Sequence, residues 1–181
     1  TGLGAKETGD RFGAAVAVGD VNGDGYDDLA VGGPGEVYGG AQSGYIFLFK
    51  GSSTGLSAWA SYGQPSGQNE AGDAFGSSLA FGDFDGDGKH DLAVGSPWEA
   101  VGTVNSGYVM VFKGSTTGLM YWVGRGQSGL DTDEWGDLFG YSLATGDFDG
   151  DGKDDLAVGA IGETGLDPSD SSARHGVVYV F

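Results

Sequence analysis

Three segments of the chain, spaced 63 and 64 residues apart, place acidic side chains at alternating positions with glycines between them. Carboxylate oxygens on a tightly turning, glycine-rich backbone are the ligands that hard divalent cations take in proteins. The sequence therefore predicts three cation-binding loops with side-chain ligands at loop positions 1, 3, 5 and 9. These ligands are Asp20, Asn22, Asp24 and Asp28 in loop 1, Asp83, Asp85, Asp87 and Asp91 in loop 2, and Asp147, Asp149, Asp151 and Asp155 in loop 3.

Position 7 of each loop is predicted to supply a backbone carbonyl oxygen, so its side chain is free to vary. The predicted cation is Ca²⁺, because the ligands are many, all oxygen and flexibly held, whereas zinc would call for cysteine or paired histidine. We expect three structural sites, because no nucleophile or general base recurs beside the loops. The alternative, acidic turns that bind nothing, stays open at this stage. The position-7 residues are Tyr26, Lys89 and Lys153.

The loops differ from the EF-hand, in which a glutamate at position 12 completes the coordination between two helices. Position 12 here is valine in every copy, at Val31, Val94 and Val158. No amphipathic helical pattern flanks any loop, and glycine makes up 39 of the 181 residues. Each loop is therefore predicted to link two strands, with the position-9 aspartate closing the coordination shell.

The elements that must position these loops are short segments rich in β-branched, aromatic and small apolar residues, which favour strands. Four antiparallel strands per repeat, stacked radially, form the blade of a β-propeller. The prediction is one all-β domain over residues 1–181, with three four-stranded blades at about 1–63, 64–126 and 127–181, the first and last incomplete. The predicted strands are 12–18, 29–31, 45–49 and 58–62, then 75–82, 92–95, 107–112 and 121–123, then 139–145, 156–158 and 177–181.

A Phe-Gly pair precedes each loop, at Phe12, Phe75 and Phe139, and Leu-Ala-Val-Gly follows it. This combination resembles FG-GAP repeats, which build the β-propeller of integrin α subunits and of related extracellular proteins. Ile161 stands where the family pattern has proline. The resemblance implies a Ca²⁺-binding propeller module for protein–protein interaction in cell adhesion, located outside the cell or at its surface. The integrin propeller has seven blades, whereas this chain has three repeats.

Three blades are fewer than the four to eight that close a propeller. Either the chain is a piece of a longer propeller, or two copies form a homodimer that closes a six-bladed ring. Two-fold symmetry is the commonest form of oligomer, so the homodimer is the slightly favoured expectation. Exposed sheet edges tend to pair with another strand. Both explanations would cover these edges.

Composition excludes several classes of protein. The formal net charge of −18 excludes nucleic-acid binding, which needs clustered lysine and arginine. Three bound divalent cations would offset a third of this net charge. The chain has no cysteine, and no apolar run reaches the ~20 residues that span a bilayer.

The loops on the side opposite the cation loops are longer and differ between repeats, as expected of binding loops on a repeated scaffold. We therefore expect a protein or glycan ligand on that face. Trp98 and Trp135 fall in these loops, where they either stack on sugars or wedge between blades. Trp59 and Trp122 fall in or beside fourth strands. The loops are residues 34–43, 64–73, 97–106, 126–137 and 162–176.

Three further features are assigned no chemistry. His90 and His175 are both predicted to be surface residues, because no nucleophile or acid is placed to work with them. Asp167, Ser169 and Ser171 match an Asp-x-Ser-x-Ser adhesion motif, but they follow a polar segment instead of a buried strand. A polar loop is therefore the better interpretation of this segment.

The leading hypothesis is a calcium-binding, integrin α-like module that recognises a macromolecular partner and is not itself an enzyme. One alternative is a lectin-type propeller that binds carbohydrate. Another is an accessory domain of an extracellular enzyme, as in phospholipases that carry such repeats.

Overall fold

A computed structural model describes residues 8–37, 40–65, 68–130, 133–162 and 176–181. These residues form thirteen β-strands and no helix, so none could cross a membrane as a helix. The all-β prediction is confirmed. The strands are β1 Val16–Gly19, β2 Asp28–Gly33, β3 Tyr45–Lys50, β4 Ser57–Tyr62, β5 Ser78–Gly82, β6 Asp91–Ser96, β7 Ala100–Val101, β8 Val104–Asn105, β9 Tyr108–Ser115, β10 Gly118–Arg125, β11 Phe139–Gly146, β12 Asp155–Ala160 and β13 Val177–Val180.

Each repeat forms its own antiparallel sheet, in the orders β1-β2-β3-β4, β5-β6-β9-β10 and β11-β12-β13. The first repeat is a complete four-stranded blade. The first and last blades were predicted to be incomplete. Among the described residues, only the last blade has fewer than four strands. A two-stranded hairpin, β7-β8, lies in the predicted loop 97–106 and was not foreseen, because each of its strands is only two residues long.

The apolar core lies between neighbouring blades. One buried cluster joins the first and second sheets and includes Ile46, Phe75 and Met110, and another joins the second and third around Phe139 and Val158. The central strands of the blades supply much of this core, because Leu-Ala-Val is apolar on both of its faces. Burying one such side chain contributes about 1.5–3 kcal/mol.

The Phe-Gly pairs of the second and third repeats dock onto the blade before them. Phe75 and Phe139 lie on the preceding blade through parallel bridges to Gly44 and Gly107. A side chain on Gly32 of Leu-Ala-Val-Gly would collide with the carbonyl oxygen of Gly76, and Gly95 meets Gly140 in the same way. The two sequence signatures of the repeat therefore fit one another across each blade contact.

The first Phe-Gly pair shows the same point by contrast. Phe75 and Phe139 have 0% of their surface exposed, whereas Phe12, which has no described blade before it, is 51% exposed. The predicted strands 12–18 and 75–82 accordingly begin only at Val16 and Ser78, after the docking residues. The burial of this phenylalanine therefore comes with the neighbouring blade on which it docks.

Candidate metal centres

The aspartate at position 1 organises each loop through its own backbone. In loop 2, Asp83 Oδ1 accepts hydrogen bonds from the N–H groups of Gly86 (2.8 Å) and Asp87 (3.0 Å), and Oδ2 accepts one from Gly88 (2.9 Å). Gly86 and Gly88 have φ values of 77° and 83°, a backbone region that glycine adopts readily. Three N–H donors therefore fix this carboxylate before any cation arrives.

Loops 1 and 3 repeat this geometry. Asp20 accepts hydrogen bonds from three loop N–H groups at 2.8, 3.1 and 2.7 Å. Asp147 does the same at 2.7, 3.0 and 3.1 Å. The alternation of acidic residues and glycines thus specifies one loop conformation in three places.

The aspartate at position 9 ties loops 1 and 2 to their own sheets. Asp28 and Asp91 begin β2 and β6. Asp28 Oδ1 accepts a hydrogen bond from Gly51 N–H (2.8 Å), directly after β3, and Asp91 Oδ1 accepts one from Gly114 N–H (2.9 Å), near the end of β9. Both side chains are buried. In loop 3, Asp155 Oδ2 accepts a hydrogen bond from Phe148 N–H at 2.8 Å.

Positions 1, 3 and 9 converge. Carboxylate oxygens of Asp83, Asp85 and Asp91 all lie within 4.8 Å of one another, and those of the corresponding residues in loop 3 do so too. The loop 3 residues are Asp147, Asp149 and Asp155. In loop 1 the position-3 residue is Asn22, whose amide donates to Asp28 Oδ2 at 3.2 Å.

Asp91 offers a test of whether these groups suit a cation. Its Oδ2 atom is buried and has no hydrogen-bond partner. Burial first, and then the nearby charge of Asp85, raise the pKa of Asp91 to about 6. A buried carboxylate oxygen that lacks a donor, beside two other carboxylates, is a fitting ligand for a divalent cation.

The position-5 residues of loops 1 and 2 form ion pairs with lysines. Asp24 forms an ion pair with Lys50 (3.0 Å) and Asp87 with Lys89 (2.9 Å). The hydrogen bond from Lys50 lowers the pKa of Asp24, and that from Lys89 lowers the pKa of Asp87. Both carboxylates are exposed, so these ion pairs contribute little to stability. The ligand role of positions 5 and 7 stays a prediction.

Two tryptophans hold lysines beside the loops. Lys50 lies 5.4 Å from the ring centre of Trp59, and Lys113 lies 4.1 Å from that of Trp122. Lys113 also forms an ion pair with Asp85 of loop 2. These fourth-strand tryptophans therefore position a lysine side chain beside loop 1 and another beside loop 2.

Neighbouring loops are bonded to each other through position 8. Asp20 N–H donates to His90 Nδ1 (2.8 Å), and His90 N–H donates to Asp20 O (2.9 Å). Asp83 and Asp154 form the same pair of bonds between loops 2 and 3, at 2.9 and 3.0 Å. The prediction that His90 is a plain surface residue was wrong, because its half-buried ring links two blades. The sequence signal for this contact was the hydrogen-bond acceptor at position 8, which is His90 in loop 2 and Asp154 in loop 3.

His175 and the Asp167, Ser169 and Ser171 motif lie outside the described residues. Trp98 and Trp135 are described, and both are exposed. Their ring centres are 6.4 Å apart with an interplanar angle of 53°. The loops of the second and third repeats thus present an aromatic pair to solvent.

A second kind of acidic group lies at the other end of the strands. Carboxylate oxygens of Glu70, Asp73 and Glu99 lie within 4.8 Å of one another. We call these three residues the buried acidic cluster, because Asp73 is 3% and Glu99 2% exposed. Burial raises the pKa of Asp73 to about 6 and that of Glu99 to about 8. Sequence reasoning missed this cluster, although Glu-x-Gly-Asp recurs before Phe-Gly at Glu134.

Comparison with known proteins gives a family match. The FG-GAP repeat model matches residues 12–49, 75–112 and 139–181, together more than half of the chain. These ranges contain the Phe-Gly pairs and the three acidic loops. The expected resemblance is therefore confirmed.

Several relatives share about a third of their aligned residues with this chain. Human integrin alpha-IIb is 37% identical over 180 residues, covering 88% of this chain and 16% of that protein. Integrin alpha-PS2 of Drosophila melanogaster is 34% identical over 166 residues, covering 86% and 12%. Phosphatidylinositol-glycan-specific phospholipase D of Rattus norvegicus is 35% identical over 164 residues, covering 82% and 18%. The chain thus spans less than a fifth of the length of each of these relatives.

A solved structure with a similar arrangement is that of the exotype rhamnogalacturonan lyase YesX. Its TM-score is 0.49 at 19% identity, and the match covers 78% of this chain and 27% of that one. At this distance the likeness carries no argument about substrate.

Proposed function

This chain belongs to the FG-GAP repeat family, and from that premise we propose that it is a calcium-binding, integrin α-like propeller module. Its task is to bind a protein partner in adhesion, outside the cell or at its surface. The proposal rests above all on the convergence of loop positions 1, 3 and 9 around a common point. It concerns recognition and not catalysis.

Calcium would supply positive charge between carboxylates that otherwise repel one another. The chain itself does the positioning. Three backbone N–H groups hold the position-1 aspartate, and the third strand holds the position-9 aspartate. Because His90 and Asp154 bond adjacent loops together, an ion in one loop would stiffen the blade contact beside it.

Thermal unfolding in calcium and in chelator tests this proposal. A ligand that binds the folded loops preferentially raises the melting temperature with its concentration. We expect Asp91→Asn to lose part of that rise, because the amide still accepts from Gly114 but brings no charge. Asp27→Asn is the matched control, since Asp27 is an exposed loop carboxylate outside the converging group. A melting temperature that chelator leaves unchanged in the wild type would contradict the proposal.

The partner is proposed to bind the face opposite the cation loops, where the connecting loops differ between repeats. The exposed pair of Trp98 and Trp135 lies there and favours a second candidate function, carbohydrate binding. Aromatic faces stack on sugars. Screening on a glycan array separates the two candidates, with Trp135→Ala compared with Trp122→Ala, an exposed tryptophan on a fourth strand. Glycan binding that only Trp135→Ala removes would favour the lectin function.

The outer blades have uncovered surfaces that a further blade would fit. Val16 and Val18 of β1 and Val178 and Val180 of β13 are all more than half exposed. We propose that they pack against further blades, either of a longer chain or of a second copy that completes six blades. Sedimentation measures the mass directly, and a monomer at high protein concentration would remove the homodimer.

A further inference from the structure

We propose that the position-8 side chains His90 and Asp154 couple neighbouring acidic loops, so that a cation held in one loop strengthens cation binding in the next. The inference rests on the proposed function, because it needs cations in the loops, and it goes one step further. The proposed function requires three sites, whereas the inference makes the affinities of these sites depend on one another. His90 and Asp154 are positioning residues here and not ligands.

The link between loops 1 and 2 joins two ligand residues. Asp20 N–H donates to His90 Nδ1 (2.8 Å), and His90 N–H donates to Asp20 O (2.9 Å). Asp20 is the position-1 ligand of loop 1, and Asp91, the position-9 ligand of loop 2, directly follows His90. A single residue therefore connects a ligand of one loop to a ligand of the next.

Both ends of this link are fixed within their own loops. The Asp20 carboxylate accepts hydrogen bonds from three N–H groups of loop 1, at 2.8, 3.1 and 2.7 Å. Asp91 Oδ1 accepts one from Gly114 N–H at 2.9 Å. A displacement of the Asp20 backbone would therefore move the whole of loop 1, and the position of Asp91 is set by its own sheet.

The chain packs closely around each link. A side chain on Gly19 would place its Cβ 3.0 Å from His90 Nδ1, and one on Gly82 would place it 3.0 Å from Asp154 Cβ. A Cβ on Gly114 would lie 2.7 Å from the carbonyl oxygen of Val21, which belongs to loop 1. Close-packed groups transmit displacements to their neighbours. Each loop is therefore restrained by the loop beside it.

Loops 2 and 3 have the same link with a different side chain. Asp83 N–H donates to Asp154 Oδ2 (2.9 Å), and Asp154 N–H donates to Asp83 O (3.0 Å). Asp155, the position-9 ligand of loop 3, directly follows. The shared property of position 8 is thus a hydrogen-bond acceptor and not an imidazole ring. Since the links run in a line, we expect loops 1 and 3 to be coupled more weakly than adjacent loops.

The expected coupling is positive. Fixing a loop around a cation costs conformational entropy, and this cost is smaller when a neighbouring segment is already ordered. A cation that orders Asp91 also orders His90 and, through it, the backbone of Asp20. Loop 1 then needs less further ordering to bind its own cation. Coupling between binding sites is reciprocal, so a cation in loop 1 strengthens binding in loop 2 by the same factor.

A calcium titration of the whole chain followed by NMR resolves the loops one by one. The reporters are the amides of the position-6 glycines, each of which donates to the position-1 aspartate of its own loop: Gly25, Gly88 and Gly152. Asp91→Asn weakens or empties loop 2. We expect this change to lower the calcium affinity of loop 1 by at least about fivefold, the lower end of typical coupling between sites.

His90→Ala removes the acceptor, and we expect it to lower the affinity of loop 1 by a similar factor. Adding Asp91→Asn to His90→Ala should then lower that affinity no further. His90→Asn keeps an acceptor oxygen and should retain most of the coupling. Asp27→Ala is the matched control, because Asp27 is the exposed position-8 residue of loop 1 and no described loop precedes it. This control should lower no affinity to that extent.

The link between loops 2 and 3 gives a second, independent pair of variants. Asp154→Asn keeps the acceptor oxygen without its charge, whereas Asp154→Ala removes both. We expect the alanine variant to lose the coupling between these loops and the asparagine variant to keep it. This pair also serves if His90→Ala does not fold.

Three outcomes would overturn the inference. Loops that bind calcium with affinities independent of one another would overturn it and leave the proposed function standing. The same holds if Asp91→Asn lowers the affinity of loop 1 as much in His90→Ala as in the wild type, because the histidine would then not carry the coupling. Loops that bind no calcium would overturn the inference and the proposed function together.

Discussion

The acidic loops and the buried acidic cluster hold the same chemical groups with different hydrogen-bond partners. In loop 2, Asp83 alone accepts three backbone N–H bonds and is half-buried. In the buried cluster, one backbone N–H bond reaches a carboxylate, from Glu70 to Asp73, and burial raises the pKa of Glu99 to about 8. The difference teaches that backbone donors prepare the loops to hold negative charge, whereas burial makes the cluster hold a proton more tightly.

The largest expected effect concerns the contact between the first and second blades. Phe75→Ala should lower the free energy of unfolding by about 3–5 kcal/mol, because it leaves a cavity between the first and second blades. Denaturant unfolding measures this change. Phe12→Ala is the matched control, since Phe12 is half exposed, and its cost should be much smaller. Equal costs would mean that the blades do not dock through this residue.

Calcium should show whether the acidic loops and the buried acidic cluster contribute independently to the free energy of unfolding. At a calcium concentration 100 times the dissociation constant, one occupied site adds about 2.7 kcal/mol to the free energy of unfolding. Asp155→Asn should lose this increment from loop 3 while Glu99→Gln keeps it. Unfolding in guanidinium, with calcium and with chelator, measures both. If both variants lost the same loop increment, the two regions could not be independent.

The pH dependence should distinguish the cluster from the loops when chelator is present. The folded pKa of Glu99, about 8, lies above its unfolded value of roughly 4.3, so the folded state holds the proton more tightly. Stability is therefore full below the unfolded value and is lost as the pH rises toward 8. Glu99→Gln should remove most of this loss between pH 5 and 8, because the variant has no proton to release there. Parallel stability curves for variant and wild type would contradict the assignment.

The smallest expected effect makes loop 1 resemble the other two. Asn22→Asp should cost about 1 kcal/mol in chelator, because the amide hydrogen bond to Asp28 is replaced by repulsion. In calcium the same change should tighten binding, because it adds a third converging carboxylate. Calorimetric titration measures the affinity, and Asp27→Asn serves as the control. Weaker binding by Asn22→Asp would show that position 3 does not face the ion.

The acidic loops were predictable from the sequence because all their side-chain ligands fall within nine consecutive residues. The buried cluster was not, because Asp73 and Glu99 lie far apart in the sequence, before β5 and after β6, and meet only in the folded chain. The contact between His90 and Asp20 escaped prediction for the same reason. Strand composition located the blades, but only the structure shows that Phe75 docks before its strand begins.

The central claim is that each acidic loop holds one calcium ion. Equilibrium dialysis with radioactive calcium counts the bound ions in the wild type and in three position-9 variants, Asp28→Asn, Asp91→Asn and Asp155→Asn. The account predicts that each variant binds one ion fewer than the wild type, with Asp27→Asn unchanged. A wild type that binds no calcium, or variants that all keep the full number of ions, would contradict it.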